Sequence, residues 1–294
     1  MHRSGHVAII GRPNVGKSTL LNRILGQKIA ITSRRPQTTR HRLLGIHTTA
    51  EAQTIYVDTP GLHKPGGRAM NRLMNRAATG AITDVDVVLF VIDGLQWTAE
   101  EDYILGLLRE VTVPVVLAVN KVDRIKDKAA LLPHIDALRA RYPFREIVPV
   151  SARHGSQVPE LERAITALLP ESPPLYPEEQ ITDRSERFLA AELIREKLMR
   201  HLGQELPYAT TVELESYVED GGLARIHALI WVERDSQKAI VIGKGGAMLK
   251  RIGQEAREDI ERLIGRKVFL QMWVKVKEKW SDDERALRTL GYGD

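Results

Sequence analysis

The sequence predicts an α/β domain built on a mixed six-stranded sheet flanked by helices, followed by a smaller α+β domain. Three observations carry this prediction. Short apolar runs alternate with amphipathic stretches from residue 7 to about residue 169, prolines cluster directly afterwards, and the remaining segment switches between helical and strand periodicity.

The runs VAII, RLLGIHT, TIYV, VDVVLFVI, VPVVLAV and EIVPV are short, apolar and rich in β-branched residues. Strands buried on both faces read this way, as in a mainly parallel sheet covered by helices. RLLGIHT and TIYV lie too close together for a parallel crossover, so they form one antiparallel pair and make the sheet mixed. This first domain spans 1–170.

Pro170, Pro173, Pro174 and Pro177 fall within eight residues. Proline blocks helix and stiffens the backbone toward polyproline II, which predicts a semi-rigid linker over 171–184. In 185–294, Phe188, Ala191, Ile194, Leu198 and Leu202 recur at helical spacing. Two alternating strands follow, with Val212 and Leu214 and then Ala224, Ile226, Ala228, Ile230 and Val232 facing inward. After Val241 comes the loop GKGG at Gly243–Gly246, then a helix with Leu249, Ile252, Ala256, Ile260 and Leu263 on one face. A third strand carries Val268, Leu270, Met272, Val274 and Val276 inward, and Ser281 with Glu284 forms a capping-box pattern for a last short helix.

With 43% hydrophobic and 28% charged residues the chain has an ordinary globular composition. It contains no cysteine, which excludes disulfides, thiolate zinc sites, cysteine-ligated clusters and cysteine nucleophiles. No stretch gives about 18 uninterrupted apolar residues, so no membrane-spanning helix is expected. Residues 236–279 hold 11 basic against 5 acidic side chains, with no acid between Asp235 and Glu255. Such a patch can meet phosphates, or be a solvated helix face.

Gly11-Arg12-Pro13-Asn14-Val15-Gly16-Lys17-Ser18 sits between the VAII strand and the amphipathic stretch STLLNRIL. That strand–loop–helix context is what a phosphate-binding loop requires. Its glycines let backbone N–H groups, including those toward Thr19, turn inward, while Lys17 supplies a point charge for β- and γ-phosphates and Ser18 a ligand for Mg²⁺. Asp58-Thr59-Pro60-Gly61 follows TIYV and places a carboxylate at a strand end beside the metal, with the Gly61 N–H near the γ-phosphate and Leu62 next. Asn120-Lys121-Val122-Asp123 ends VPVVLAV, and Asp123 can accept hydrogen bonds from guanine N1–H and its 2-amino group, neither of which adenine offers. Ser151-Ala152, just after EIVPV, supports the base from its other edge. Each element closes a strand in order, and guanine is the base that the set reads.

GRPNVGKS, the PQTTRHR stretch at Pro36–Arg42 and DTPGLHKP resemble the Era family within the translation-factor class of P-loop GTPases. REKLMRHLGQELPYATTVELE, LIWVERDSQKAIVIGKGG and QMWVKVKEKWSDDERALRTLGY are similar to the same family, so the resemblance covers nearly the whole chain. It implies a GTPase domain followed by a type II KH domain, with GTP or GDP and Mg²⁺ bound. It further implies the single-stranded 3′ end of small-subunit (16S) ribosomal RNA as partner and a role in assembling the small ribosomal subunit, with nucleotide state coupled to RNA binding. A monomer is expected in the cytoplasm, with peripheral attachment to the inner face of the cell membrane left open; the basic residues Arg34, Arg35, Arg40 and Arg42 suit either ribosome or membrane.

Many small GTPases orient the attacking water with a glutamine where this chain has Leu62, so slow intrinsic turnover is expected. The catalytic set is then Lys17, Gly61, Asn14 and Thr39. Asn14 resembles the asparagine by which related GTPases hold a potassium ion beside the phosphates, and the family favours Thr39 over Thr38 as the switch ligand of Mg²⁺. His63 reads as a solvated loop histidine. For RNA, GKGG lacks the GxGxxG spacing of a dinucleotide loop, and it resembles the KH glycine loop that a nucleic-acid backbone approaches. The candidate contacts are Lys238, Ile242, Gly243, Lys244, Gly245, Gly246, Lys250 and Arg251. Trp231, Phe269, Trp273 and Trp280 fit either base stacking or packing.

Overall fold

In the computed structural model, residues 2–62, 69–203 and 206–289 are described. The chain forms two compact units. One comprises Met1–Ala30, Thr39–Gly67 and Asn71–Asp183, and the other Ile31–Thr38, Arg68–Met70 and Arg184–Asp294.

The first unit runs β1 (Arg3–Ile10), α1 (Lys17–Leu25), β2 (Leu43–Thr48), β3 (Ala52–Asp58), α2 (Ala69–Gly80) and β4 (Val87–Asp93). It continues with α3 (Ala99–Leu108), β5 (Val115–Asn120), α4 (Leu131–Arg139), β6 (Glu146–Pro149) and α5 (Val158–Thr166). The six strands order β2-β3-β1-β4-β5-β6. Among these strands only β2 and β3 pair antiparallel, while β1, β3, β4, β5 and β6 run parallel. Ala8, Ile10, Phe90, Ile92, Leu117 and Val119 form a core on one face with Ile104 and Leu108 of α3. Val7 and Ile9, pointing to the opposite face, are equally buried. Burial on both faces is why these strands read as unbroken apolar runs.

The proline-rich stretch is held along this unit. Ile46 N–H donates to Ile181 O at 2.9 Å, and Leu44 N–H donates to Asp183 Oδ1 at 3.0 Å. The fully buried Gln53 carboxamide accepts from Leu175 and Tyr176 N–H at 2.7 and 2.9 Å and donates to Tyr176 O at 2.8 Å. Residues 171–183 therefore strap the edge strand β2 and satisfy backbone groups that an open edge would expose.

The second unit contains α6 (Glu186–His201), β7 (Thr211–Asp220), β8 (Leu223–Val232), α7 (Asp235–Ile242), α8 (Ala247–Ile264), β9 (Lys267–Val276) and α9 (Glu284–Thr289). Its sheet orders β7-β8-β9, with β8 and β9 parallel. The inward residues Ala224, Ile226, Ala228, Ile230 and Val232 are all fully buried against Ile194 and Leu198 of α6 and Ile252, Ala256 and Ile260 of α8. α6 also buries Arg195, Glu196 and Lys197. These charges have partners: Lys197 pairs with Asp259, Glu196 Oε1 accepts from Thr32 N–H at 2.8 Å, and Arg195 donates to Thr38 O.

The last short helix is capped differently from the Ser281/Glu284 pattern. Asp283 Oδ1 accepts from Arg285 and Ala286 N–H at 2.8 and 3.3 Å, while the Ser281 hydroxyl, buried, donates to Glu233 Oε1 at 2.6 Å. Asp283 directly precedes the helix, where its carboxylate reaches the free N–H groups of the first turn, and it takes the cap.

Candidate nucleotide and RNA sites

The predicted phosphate-binding loop is shaped by positions that tolerate no side chain. Gly11 has φ +151°, and a Cβ there would come within 2.4 Å of Val91 O; Gly16 has φ +101°, and its Cβ would meet Asn120 Nδ2 at 2.4 Å. α1 starts at Lys17, directly after Gly16, so its N-terminal N–H groups and positive dipole end face the loop. Asn14 also takes a left-handed conformation, φ 65°, and is exposed.

Lys17 is buried beneath this loop, and its ammonium donates to Gly11 O at 3.0 Å and Arg12 O at 3.1 Å. Burial lowers its pKa to about 8 against the opposing pull of Asp58. Asp58 is fully buried, and burial raises its carboxyl to about 6 in spite of Lys17 and a hydrogen bond from Ser18. Ser18 Oγ lies 2.7 Å from Asp58 Oδ2 and 2.8 Å from Thr39 Oγ1. Thus Ser18, Thr39 and Asp58 converge, and Asp58 Oδ1 is buried with no hydrogen-bond partner among the described residues. Two hydroxyls beside a carboxylate with an unsatisfied oxygen suit Mg²⁺, which is bound through a few protein oxygens plus substrate phosphates. Thr38 points elsewhere: its hydroxyl donates to Arg35 O at 2.7 Å and meets Ser33 Oγ at 2.6 Å.

Thr59 Oγ1 donates to Ile9 O at 2.8 Å, tying the DTPG turn to β1. A Cβ on Gly61 would lie within 2.9 Å of three Pro13 atoms, so only glycine brings this backbone so close to the loop. Pro60 is buried beside it. Leu62 N–H donates to Gly11 O at 3.2 Å, but its side chain is fully buried in the sheet core and offers a ligand no polar group. His63 lies outside the described residues. Arg12 turns its guanidinium to the buried Glu101, 2.6 Å away, and to Gln96 at 2.9 Å, so its contribution to the loop is the backbone.

The elements predicted to read the base interlock. Asn120 donates to Val15 O at 2.8 Å and accepts from Ala152 N–H at 2.9 Å, joining phosphate loop and Ser151-Ala152 through one buried carboxamide. Lys121, with φ 63°, reaches Asn14 O and Asp93, each at 2.5 Å. Val122 N–H is anchored on Val150 O at 3.2 Å. The Ser151 hydroxyl donates to Asp123 Oδ1 at 2.6 Å and is the main reason the Asp123 carboxyl stays below the usual carboxylate range. Asp123 is thereby ionised and oriented as an acceptor. Sequence spacing misses the supports Asp93, Glu101 and Arg23, whose guanidinium donates to Ala152 O at 3.1 Å. Thr98-x-x-Glu101 has capping-box spacing and forms one, but nothing in that spacing discloses Arg12 as a further partner.

In the second unit the GKGG turn joins α7 to α8. Gly243, Gly245 and Gly246 have φ of +73°, +58° and +80°. A Cβ on Gly243 would meet Met248 Cβ at 2.7 Å, whereas the space beside Gly245 and Gly246 is open. Lys244, Lys250 and Arg251 are exposed around the turn, and Lys238 and Ile242 are half-buried on α7. Arg251 is shared with Glu255 at 3.2 Å.

These two units define a P-loop GTPase domain joined to a KH domain. The model of the 50S ribosome-binding GTPase family matches residues 6–121, and the KH domain model matches residues 205–281. GTPase Era of Pseudomonas aeruginosa strain LESB58 is 60% identical over 292 residues, covering 99% of this chain and 96% of that protein. GTPase Era of Ectopseudomonas mendocina is likewise 60% identical, covering 99% and 98%. Among solved structures, Era in complex with MgGDPNP and nucleotides 1506–1542 of 16S ribosomal RNA matches with a TM-score of 0.96 at 39% identity over the whole of both chains. A variant Era from Aquifex aeolicus bound to GDP.AlF4- gives 0.95 at 39% identity, covering 99% and 100%. The chain belongs to the GTPase Era family. Among the described residues no helix is long and apolar enough to cross a membrane.

Proposed function

We propose that this protein hydrolyses GTP in its first unit and binds the 3′ end of small-subunit ribosomal RNA with its second, acting in the cytoplasm on the assembling small ribosomal subunit. The observation that carries the first half is the Asn120 carboxamide, which joins the phosphate loop to the base-reading Ser151-Ala152 turn. Asp123 then reads guanine N1–H and the 2-amino group, and discrimination against adenine arises because adenine leaves the carboxylate without its donors.

On nucleotide binding, Lys17 exchanges two backbone carbonyl acceptors for β- and γ-phosphate oxygens, which restores the counter-charge its burial removes. Ser18, Thr39 and Asp58 would hold Mg²⁺, which would supply charge neutralisation at the phosphates. Gly61 N–H meets the γ-phosphate. Since Leu62 is committed to the core, no side chain at that position orients water, and turnover is slow until another group or cation assists. Asn14, exposed in the loop, would hold potassium in that role.

For RNA, Gly243, Gly245 and Gly246 let the phosphate backbone approach, Lys244, Lys250, Arg251 and Lys238 meet phosphates, and Ile242 packs against a base. Thr38 belongs to the second unit and Thr39 to the first, so chain continuity links the nucleotide switch to the RNA-binding unit. The test pairs GTP turnover with a salt titration of binding to the 16S 3′-end oligonucleotide. Absence of GTP hydrolysis with and without RNA, or RNA binding insensitive to salt, overturns the reading.

A further inference from the structure

β8 and β9 present their odd-numbered residues to the face of the sheet opposite the helices. Across this open face the register sets Arg225 beside Phe269, His227 beside Gln271, Leu229 beside Trp273 and Trp231 beside Lys275. Phe269 and Trp273 remain 45% and 38% exposed, whereas Trp280 is fully buried with its Nε1–H donating to Ala209 O. Packing therefore accounts for Trp280 but not for the two sheet aromatics. His227 stands edge-on to Trp273 at 5.5 Å and to Phe269 at 6.5 Å, joining them into one cluster. Arg225 lies over Phe269 at 5.9 Å, and Lys277 over Trp231 at 5.8 Å.

Charge distinguishes between occupants of this face. Neither β8 nor β9 contains an Asp or Glu, and the acids of this sheet lie on β7, where Asp220 and Glu215 face Arg225 and Lys275. Lys267, Lys275 and Lys277 border the aromatic half, with Lys267 shared with Glu261 and Lys275 with Glu215, while the Trp231 indole N–H donates to Glu213 Oε2. Exposed aromatic rings on a sheet, rimmed by cations, suit unpaired bases whose phosphates run beside them. β9 is also an edge strand of the sheet, and it packs against α7, the helix that leads into the GKGG turn.

We propose that this open face is a second single-stranded RNA surface, on which bases beyond those held at GKGG stack against Trp273 and Phe269. The proposal rests on the KH reading of GKGG. Its test uses the full chain and two RNA oligonucleotides: one of about four nucleotides, the length a KH loop clamps, and one extended several nucleotides further from the 16S 3′ end. In Trp273→Ala/Phe269→Ala, affinity for the extended RNA falls by about tenfold or more, since removing each stack weakens binding by roughly five- to 150-fold. Affinity for the short RNA and GTP hydrolysis stay unchanged, and Trp273→Phe/Phe269→Tyr restores extended binding. Equal affinity of the double alanine variant and the unmodified protein for the extended RNA overturns the proposal. So does loss of binding to anionic phospholipid vesicles with extended RNA binding intact, which assigns the face to a lipid surface. Failure of the GKGG reading is seen separately, as short-RNA binding that survives Lys244→Asp.

Discussion

Asn120 Nδ2 lies 2.8 Å from the carbonyl oxygen of Val15, and the same nitrogen occupies the space where a side chain on Gly16 would have to go. One carboxamide thus fixes the loop proposed to hold phosphate and, through its Oδ1, the turn proposed to support the base. Asn120→Ala leaves Val15 O and Ala152 N–H buried without partners, at a cost of about 1–3 kcal/mol each. Thermal unfolding should shift down by several degrees, since 1 kcal/mol moves a domain of this size by about 2–4 °C. GTP and GDP affinity should fall together. A melting temperature and nucleotide affinity equal to those of the unmodified protein would remove Asn120 from its bridging role.

Asp58 and Lys17 give the nucleotide-stripped protein a defined pH response. Burial raises Asp58 from 3.8 to about 6, so between those values the folded state holds the extra proton and stability falls as pH rises. Burial lowers Lys17 from 10.5 to about 8, so the unfolded state binds more protons from 8 to 10.5 and stability rises across that window. At neutral pH both groups are charged at a cost that already includes their mutual attraction. Asp58→Asn should therefore raise the melting temperature of nucleotide-stripped protein at pH 7, with the gain vanishing toward pH 4, while weakening Mg²⁺-dependent GTP binding. A uniform loss of stability at all pH values would show that the carboxylate is not held at a cost.

Asp123→Asn should move base preference from guanine toward xanthine. The Ser151 hydroxyl at 2.6 Å fixes the orientation of this side chain, and an amide donor placed there faces the 2-carbonyl of xanthine in place of the 2-amino group of guanine. Competition between GTP and XTP measures it. Retained preference for GTP in the variant contradicts the base contact.

Asn14→Ala should remove potassium stimulation of hydrolysis and leave nucleotide binding largely intact. The cradle is built from Gly11, Gly16 and Lys17, and the Asn14 contact to Lys121 is through its backbone carbonyl, which alanine keeps. Turnover compared in potassium and sodium reads this directly. Equal rates in the two salts for the unmodified protein dispose of a potassium role.

Strand runs are legible in the sequence because burial on both faces removes polar residues from them, and Gly11, Lys17, Asp58 and Asp123 stand out as candidates because the phosphate and guanine chemistry proposed for them restricts residue type. The strap over 171–183 is not legible as such. Prolines announce a stiff, helix-free segment, but its attachment depends on Gln53, over 120 residues away in sequence, whose carboxamide replaces ladder partners for Leu175 and Tyr176. Arg12 is equally opaque, because its partner Glu101 lies 89 residues on and first reads as a cap. Spacing marks backbone-driven candidate sites, whereas side-chain struts between distant elements leave no period to detect.

Lys244→Asp with Gly245→Asp should abolish RNA binding without abolishing GTP binding. Lys244 is exposed on the turn, and the space beside Gly245 is open, so the new carboxylates project to where phosphate approaches without clashing in the core. Gly245 has φ +58°, a conformation aspartate adopts more readily than most residues, which limits the strain to the turn. The two changes alter local charge by three units beside Lys250 and Arg251. Binding to the single-stranded 16S 3′-end RNA should weaken sharply, and the dependence of log affinity on log salt should flatten by about one unit or less for each phosphate no longer engaged. GTP affinity should hold, because Gly11–Ser18 and Asn120–Asp123 belong to the other compact unit. RNA-stimulated hydrolysis should vanish while basal hydrolysis persists. A salt titration of RNA binding beside a nucleotide titration of the same folded preparation decides the matter: unchanged RNA affinity and salt slope would sink the assignment of this loop.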